Sequence, residues 1–138
     1  MPSTGTANFQ GSYVGGLSPR TLTGFSGEDT AYEVVYGDVA LDVDFGTSTI
    51  SGKITDRVAE DSTLPGYDKH SLSDVTLQTA AIDPTGEYSG TALKSGDTGS
   101  YFGVLSGDNA TETAGVFIIE QGSDYFPNEY GVFLAVQP

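Results

Sequence analysis

The strongest constraint in this sequence is a two-residue alternation of apolar and polar side chains between positions 39 and 45. Successive residues of a β-strand point to opposite faces of a sheet, so this alternation predicts a strand with one buried face. Asp42 and Asp44 fall on the face toward water. The opposite face carries four apolar residues, which we expect to be buried: Val39, Leu41, Val43 and Phe45.

The Gly-Thr-Ser sequence at 46–48 follows, and alternation resumes over 49–54, which predicts a β-hairpin. Turn residues at 84–86 and 106–109 predict two further tight connections. The apolar residues of 72–82 also fit one short helix. With that segment taken as a strand, the same test predicts eight strands, at residues 11–17, 34–45, 49–57, 72–83, 86–94, 99–105, 113–120 and 131–137.

Eight short strands without helical crossovers predict an all-β fold, a single small antiparallel up-and-down β-barrel whose closure removes exposed strand edges. A two-sheet sandwich is the alternative architecture. We assign residues 1–10 to an N-terminal extension or tether and residues 11–138 to the barrel domain. Besides Leu41, Val43 and Phe45, the predicted core contains Ile50, Ile54, Val116 and Ile118.

A formal net charge of −14, with five Lys and Arg residues against 19 Asp and Glu, excludes whole classes of partner. Nucleic acids and anionic membranes are bound through clustered cations, which this chain lacks. Its acidity favours solubility and resistance to self-association, or a cationic partner. No apolar run reaches the length of a membrane helix, and the first five residues lack the features of a signal peptide. We therefore expect either a cytoplasmic protein or an export signal that precedes this chain.

The residues that could carry chemistry are few. The chain has no cysteine and one histidine, His70, so thiolate sites and two-histidine metal sites are excluded, and a catalytic triad would have to include His70. Asp42 and Asp44 lack the further oxygen ligands of a calcium loop and belong to a solvated strand face. The sequence thus predicts a binding protein rather than an enzyme, with no metal and no cofactor, haem remaining the one candidate ligand of that kind.

Three segments together resemble the barrel domain of transferrin-binding protein B and related surface lipoproteins. Residues 38–54 read DVALDVDFGTSTISGKI and residues 81–92 read AIDPTGEYSGTA. The third combines YFGV at 101–104 with ETAGVF at 112–117 and is followed by YGVF at 130–133. The order and spacing of these motifs carry the resemblance, which spans the chain from residue 11 to its end.

The resemblance implies an eight-stranded barrel exported by a Gram-negative bacterium, with the outer membrane surface, the periplasm or secretion as its location. A lipid anchor on a removed or preceding segment would then be its membrane attachment. Family members capture host iron proteins, haem or host regulators through loops at one barrel end. The matched motifs are structural, so the resemblance assigns no binding residue.

In an up-and-down barrel alternate connections emerge at opposite ends, which places the long segments 18–33, 58–71 and 121–130 at one end. Long loops on a rigid scaffold commonly carry recognition. We predict that this end binds a protein partner, such as a cationic protein or an outer-membrane protein. A haem or small apolar ligand carrier and a structural subunit of a cell-surface assembly are the alternatives. The candidate partner-binding residues are Phe25, Tyr32, Tyr67, His70, Tyr125, Phe126 and Tyr130. Nearby carboxylates would speed association with a basic partner: Glu28, Asp29, Glu60, Asp61, Asp124 and Glu129.

Overall fold

The computed structural model describes residues 2–21, 30–61, 69–120 and 128–138, and every regular element in them is a β-strand. The strands, in chain order, are β1 (Thr6–Thr21), β2 (Thr30–Asp44), β3 (Thr49–Asp61), β4 (His70–Ser71), β5 (Val75–Ala81), β6 (Glu87–Lys94), β7 (Asp97–Ser106), β8 (Glu112–Ile119) and β9 (Glu129–Val136). Within the segment 72–82 residues Val75–Ala81 form a strand, and the segment contains no helix.

The wall of the molecule is a closed, eight-stranded antiparallel barrel, which confirms the predicted fold and excludes the sandwich. Its strands follow the order β2, β1, β9, β8, β7, β6, β5, β3, and pairing of β2 with β3 closes the ring. The two-residue strand β4 pairs with Val58 and Ala59 of β3, on the edge of β3 that β5 pairs with nearer the start of that strand.

The strands at the start of the chain are longer than the sequence predicts. Residues 6–10, assigned above to a tether, pair with β2 from Thr6 opposite Asp44 onward, so the barrel begins five residues earlier than residue 11. Residues 18–21, 30–33 and 58–61 are likewise strand rather than loop. The polar residues in these segments concealed this, because a ladder of backbone hydrogen bonds does not depend on apolar side chains.

Inward-facing side chains fill the barrel. Leu41, Val43, Phe45, Ile50 and Ile54 are buried, as predicted. The prediction is wrong for β8, where the buried residues are those of the other parity: Thr113, Phe117 and Ile119, with Val116 and Ile118 half-buried on the outer wall. Residues 116–119 read Val-Phe-Ile-Ile, an apolar run on both faces, so alternation could not decide which face points inward.

Glycines inside the barrel make room for aromatic rings. A methyl group on Gly103 would lie 2.5 Å from the Tyr88 hydroxyl, and one on Gly90 would lie 2.9 Å from Cε1 of Tyr101. In each pair the glycine has no side chain, and the aromatic ring of the residue opposite it on the adjacent strand occupies that space.

A β-bulge in β3 determines which residues of this strand face the barrel interior beyond Thr55. Tyr36 lies opposite Val58 and Asp38 opposite Thr55, so β3 contains one extra residue, and Asp56 adopts a φ of 51° there. The bulge reverses the alternation that begins at Ile50 and Ile54. As a result Arg57 points into the barrel instead of toward water, and it is 1% exposed.

Candidate functional site

The two ends of the barrel differ in how their strands are connected. One end, here called the turn end, carries the short connections at 45–48, 82–86 and 107–111. The other, the polar end, lies where β1 stops at Thr21, β2 starts at Thr30 and β9 starts at Glu129. Segments 22–29, 62–68 and 121–127 join strands at the polar end and lie outside the described residues.

The turn end is held by side-chain caps. Oδ1 of Asp83 accepts hydrogen bonds from the Thr85 hydroxyl at 2.6 Å, the Thr85 amide at 2.9 Å and the Glu87 amide at 3.0 Å. These bonds, the Thr85 hydroxyl above all, lower the pKa of Asp83. Oδ1 of Asp44 caps the first hairpin in the same way, at 2.9 Å from the Gly46 amide and 3.1 Å from that of Thr47. Short, capped turns of this kind are rigid connections that set strand register.

The interior below the polar end contains a buried ionic cluster centred on Glu129. Its side chain is fully buried and forms a salt bridge with Arg57, which is also fully buried. Lys94 places its Nζ 3.4 Å from Oε1 of Glu129, with 14% of the side chain exposed. A buried carboxylate requires such partners, because moving an unpaired charge out of water costs several kcal/mol.

Tyr13 is a further hydrogen-bond partner of the Glu129 carboxylate. Its hydroxyl donates to Oε2 of Glu129 at 2.6 Å. Burial, together with the neighbouring Glu129 charge, raises the pKa of the Tyr13 hydroxyl far above its ordinary value. The phenol therefore stays protonated and acts as a permanent donor.

Arg57 also connects the cluster to the chain that precedes β5. Its Nη1 donates to the Ser73 carbonyl at 2.7 Å, and the Ser73 hydroxyl accepts a bond of 2.8 Å from Ser95. Glu129 directly follows segment 121–127 and its neighbour Asn128, while Ser73 follows segment 62–68 by five residues. One buried guanidinium thus joins Ser73, ahead of β5, to Glu129 at the start of β9.

The predicted partner-binding residues are distributed unevenly. Phe25, Tyr67, Tyr125 and Phe126 lie outside the described residues. Tyr32 lies in β2, and His70 lies in β4, where its backbone pairs with Ala59 of β3. Tyr130 lies in β9 on the outer wall, 44% exposed, across from Ile118 and Gly16.

Among the carboxylates expected to attract a basic partner, Glu129 does not fit that role, because it is buried and paired with Arg57. Sequence reasoning missed the cluster of Arg57, Lys94, Glu129 and Tyr13. The sequence did contain an indication of this. Glu129 comes two residues before Gly131 and four before Phe133, so in a strand it lies on the same face as these two residues. The charge of Glu129 concealed it, since ionised residues are rarely fully buried.

No three carboxylate or imidazole side chains of the described segments are grouped so that they could hold a metal ion. In the same segments no helix is long and apolar enough to cross a membrane. What the described residues of the polar end offer is a buried polar network of Arg57, Lys94, Glu129 and Tyr13.

Comparison with known proteins identifies a family that shares this barrel. The family model for the C-lobe and N-lobe β-barrels of Tf-binding protein B matches residues 1–137. No curated protein matches the sequence significantly. A crystal structure of transferrin binding protein B from Haemophilus parasuis Hp5 matches with a TM-score of 0.67 and 22% identity, over 100% of this chain and 27% of that one.

Two further structures show the same fold. A surface lipoprotein matches with a TM-score of 0.63 and 20% identity, over 99% of this chain and 63% of that chain. Transferrin binding protein B from serogroup B Neisseria meningitidis matches with a TM-score of 0.56 and 22% identity, over 99% and 26% of the respective chains. The present chain therefore spans less than two thirds of the length of each of these structures.

Proposed function

The chain belongs to the family of the C-lobe and N-lobe β-barrels of Tf-binding protein B, and from this premise we propose that it is a non-catalytic bacterial binding module, exported to the cell surface or periplasm, that recognises a protein partner through its polar end. Two of the matching structures are named for the binding of transferrin, a protein, and a third is described as a surface lipoprotein.

The observation that carries the proposal is the anchoring by Arg57. A binding loop gains affinity when its ends are held in place before the partner arrives, because less conformational freedom is lost on binding. Arg57 bonds to Ser73, which follows segment 62–68 in the chain, and to Glu129, which follows segment 121–127. The turn end has no comparable segments, since its connections are short and capped.

A ligand carried inside the barrel is a weaker candidate. Tyr13, Tyr101, Phe117 and Phe133 are each at most 1% exposed and occupy the interior. An apolar compound of the size of haem would have to displace several of these rings, each of which contributes on the order of 2 kcal/mol by burial. We expect haem titration to produce no change in the haem absorbance spectrum that is specific to this protein.

Site-specific photo-crosslinking tests where the partner binds. A benzophenone amino acid is introduced at Tyr67 or at Tyr125, with Thr47 of the turn end as the matched control, and each variant is incubated with purified transferrin and with whole serum. We expect adducts with one protein from Tyr67 and Tyr125 and none from Thr47. Adducts formed from Thr47 alone would contradict the assignment to the polar end, and identification of the adduct by mass spectrometry decides whether transferrin is the partner.

A further inference from the structure

The pairing between β5 and β6 is the shortest ladder in the closed ring. In the described part of the chain these two strands pair only at residues 76–77 with 92–93, and one isolated bridge joins Ile82 to Tyr88. On its other edge β6 pairs with β7 along its whole length. Residues 78–81 of β5 and residues 89–91 of β6 lie between the two points of pairing, and together they are here called the seam.

The two strands contribute unequal numbers of residues to the seam, four from β5 and three from β6. The register of β5 against β3 shifts at the same place, between Ile50 and Gly52. As a result Gln78 and Thr79 are both exposed, although neighbours in a regular strand point to opposite faces. An extra residue in one strand interrupts its pairing. The bulge in β5 therefore accounts for the missing part of the ladder.

Tyr101 of β7 supplies a hydrogen bond where the ladder is missing. It lies opposite Gly90 of β6, and an added methyl group on that glycine would lie 2.8 Å from Cβ of Ala80 and 2.9 Å from Cε1 of Tyr101. The Tyr101 hydroxyl donates to the Gln78 carbonyl of β5 and lies 3.4 Å from the Ile50 carbonyl oxygen of β3. One fully buried side chain thus connects β7 to β5 across the glycine of β6.

We propose that the barrel opens locally at the seam and that Tyr101 is the residue that holds the seam closed. Separation of the two strands here breaks the bond from Tyr101 to Gln78 and exposes Ala80 to water. The continuous ladders that join β6, β7, β8 and β9 stay intact. Such an opening requires less free energy than global unfolding, because it breaks fewer hydrogen bonds and exposes less apolar surface.

Thiol labelling of single cysteines measures the opening. The chain has no cysteine, so Ala80→Cys introduces one thiol in the seam. Ala135→Cys is the matched control, because Ala135 is also buried but lies in β9, which pairs with a neighbour on each side. Without denaturant we expect Ala80→Cys to react with a thiol-specific disulfide reagent at least about tenfold faster than Ala135→Cys. Equal rates would overturn the proposal, since both thiols would then become accessible only through global unfolding.

Two tyrosine variants identify the bonds that break on opening. Tyr101→Phe removes the hydroxyl that bonds across the seam, and Tyr88→Phe removes the one that bonds to Thr113 of β8. In the Ala80→Cys background Tyr101→Phe should raise the labelling rate about three- to tenfold, the effect of one buried hydrogen bond on the closed state. Tyr88→Phe should leave that rate unchanged and raise only the rate of Ala135→Cys, because its bond breaks in global unfolding alone. An unchanged rate in Tyr101→Phe, or an equal increase in Tyr88→Phe, would overturn the proposal.

Hydrogen exchange of the wild-type protein measures the same opening without a substitution, while circular dichroism checks that each variant folds. Strand β8 is the reference, because it pairs with a neighbour along both edges. The amides of β5 should exchange faster than those of β8 and with a weaker dependence on urea, because local opening exposes less surface than global unfolding. Exchange of both strands with the urea dependence of global unfolding would overturn the proposal.

Discussion

Arg57 and Glu129, which lie 72 residues apart in the chain, form a salt bridge in which both side chains are fully buried. Loss of one partner leaves the other charged and without its counter-ion inside the barrel, which typically costs about 3–5 kcal/mol. We expect Glu129→Gln to lower the free energy of unfolding by that amount in urea denaturation.

The double variant Arg57→Met with Glu129→Met is the matched comparison. Removal of both charges leaves neither guanidinium nor carboxylate unpaired, so the double variant should be more stable than Glu129→Gln. Equal stability of wild type and Glu129→Gln would show that the salt bridge does not hold the polar end together.

The inward-facing glycines should not tolerate a methyl group. At Gly115 it would lie 2.7 Å from Cε2 of Phe133 and 2.8 Å from the Phe102 carbonyl oxygen. We expect Gly115→Ala to destabilise the barrel by about 1–3 kcal/mol through overpacking. Gly16→Ala is the control, because the nearest atom to its added methyl group is 3.9 Å away, and it should leave the thermal unfolding temperature nearly unchanged.

Stability should fall steeply in alkaline solution. Burial raises the pKa of Tyr88 and of Tyr101 to about 12, and that of Tyr13 also rises. Between the unfolded pKa of about 10 and these folded values the unfolded chain binds fewer protons, so the free energy of unfolding decreases as pH increases. Below about pH 10 this contribution is fully present.

Urea denaturation at pH 9–12 measures this dependence. Each buried tyrosine contributes a slope of up to about 1.4 kcal/mol per pH unit, so Tyr88→Phe should make the dependence shallower. Tyr36→Phe, at an exposed position of the outer wall, should keep the wild-type slope. A slope that is the same for wild type and Tyr88→Phe would contradict the account.

Leu41 and Asp42 are neighbours with opposite environments, one buried and one exposed. Leu41→Ala should cost about 2–5 kcal/mol, because it removes buried apolar atoms and leaves a cavity. Asp42→Asn keeps an oxygen acceptor for the side-chain amide of Asn8 and should change stability by less than about 0.5 kcal/mol. Comparable losses for the two variants in thermal unfolding would contradict the assignment of the two faces of β2.

The sequence was sufficient for β2 and for the start of β3 because one face of each strand is apolar and the other polar. Alternation then determines which residues enter the core, as it does for Leu41, Val43 and Ile50. The same pattern, combined with turn residues, was enough to predict the eight-stranded barrel.

The candidate site was harder to predict, for two physical reasons. The bulge at Asp56 turns Arg57 inward, and nothing local in the sequence indicates the extra residue. On β8 and β9 both faces are apolar, so the outward row of Val116 and Val132 is indistinguishable by pattern from a core row. Both difficulties come from tertiary pairing, which a single-strand pattern does not contain.

Closure of the barrel joins strands from opposite ends of the chain, since β1 pairs with β9 and Tyr13 reaches Glu129 across 116 residues. Contacts of such long sequence separation slow folding, because loop-closure entropy is lost before the pairing stabilises the chain. Until Val136 has been synthesised, a nascent chain presents two unpaired strand edges, those of β1 and β8. In that interval, capture by a chaperone or aggregation through these edges competes with completion of the ring.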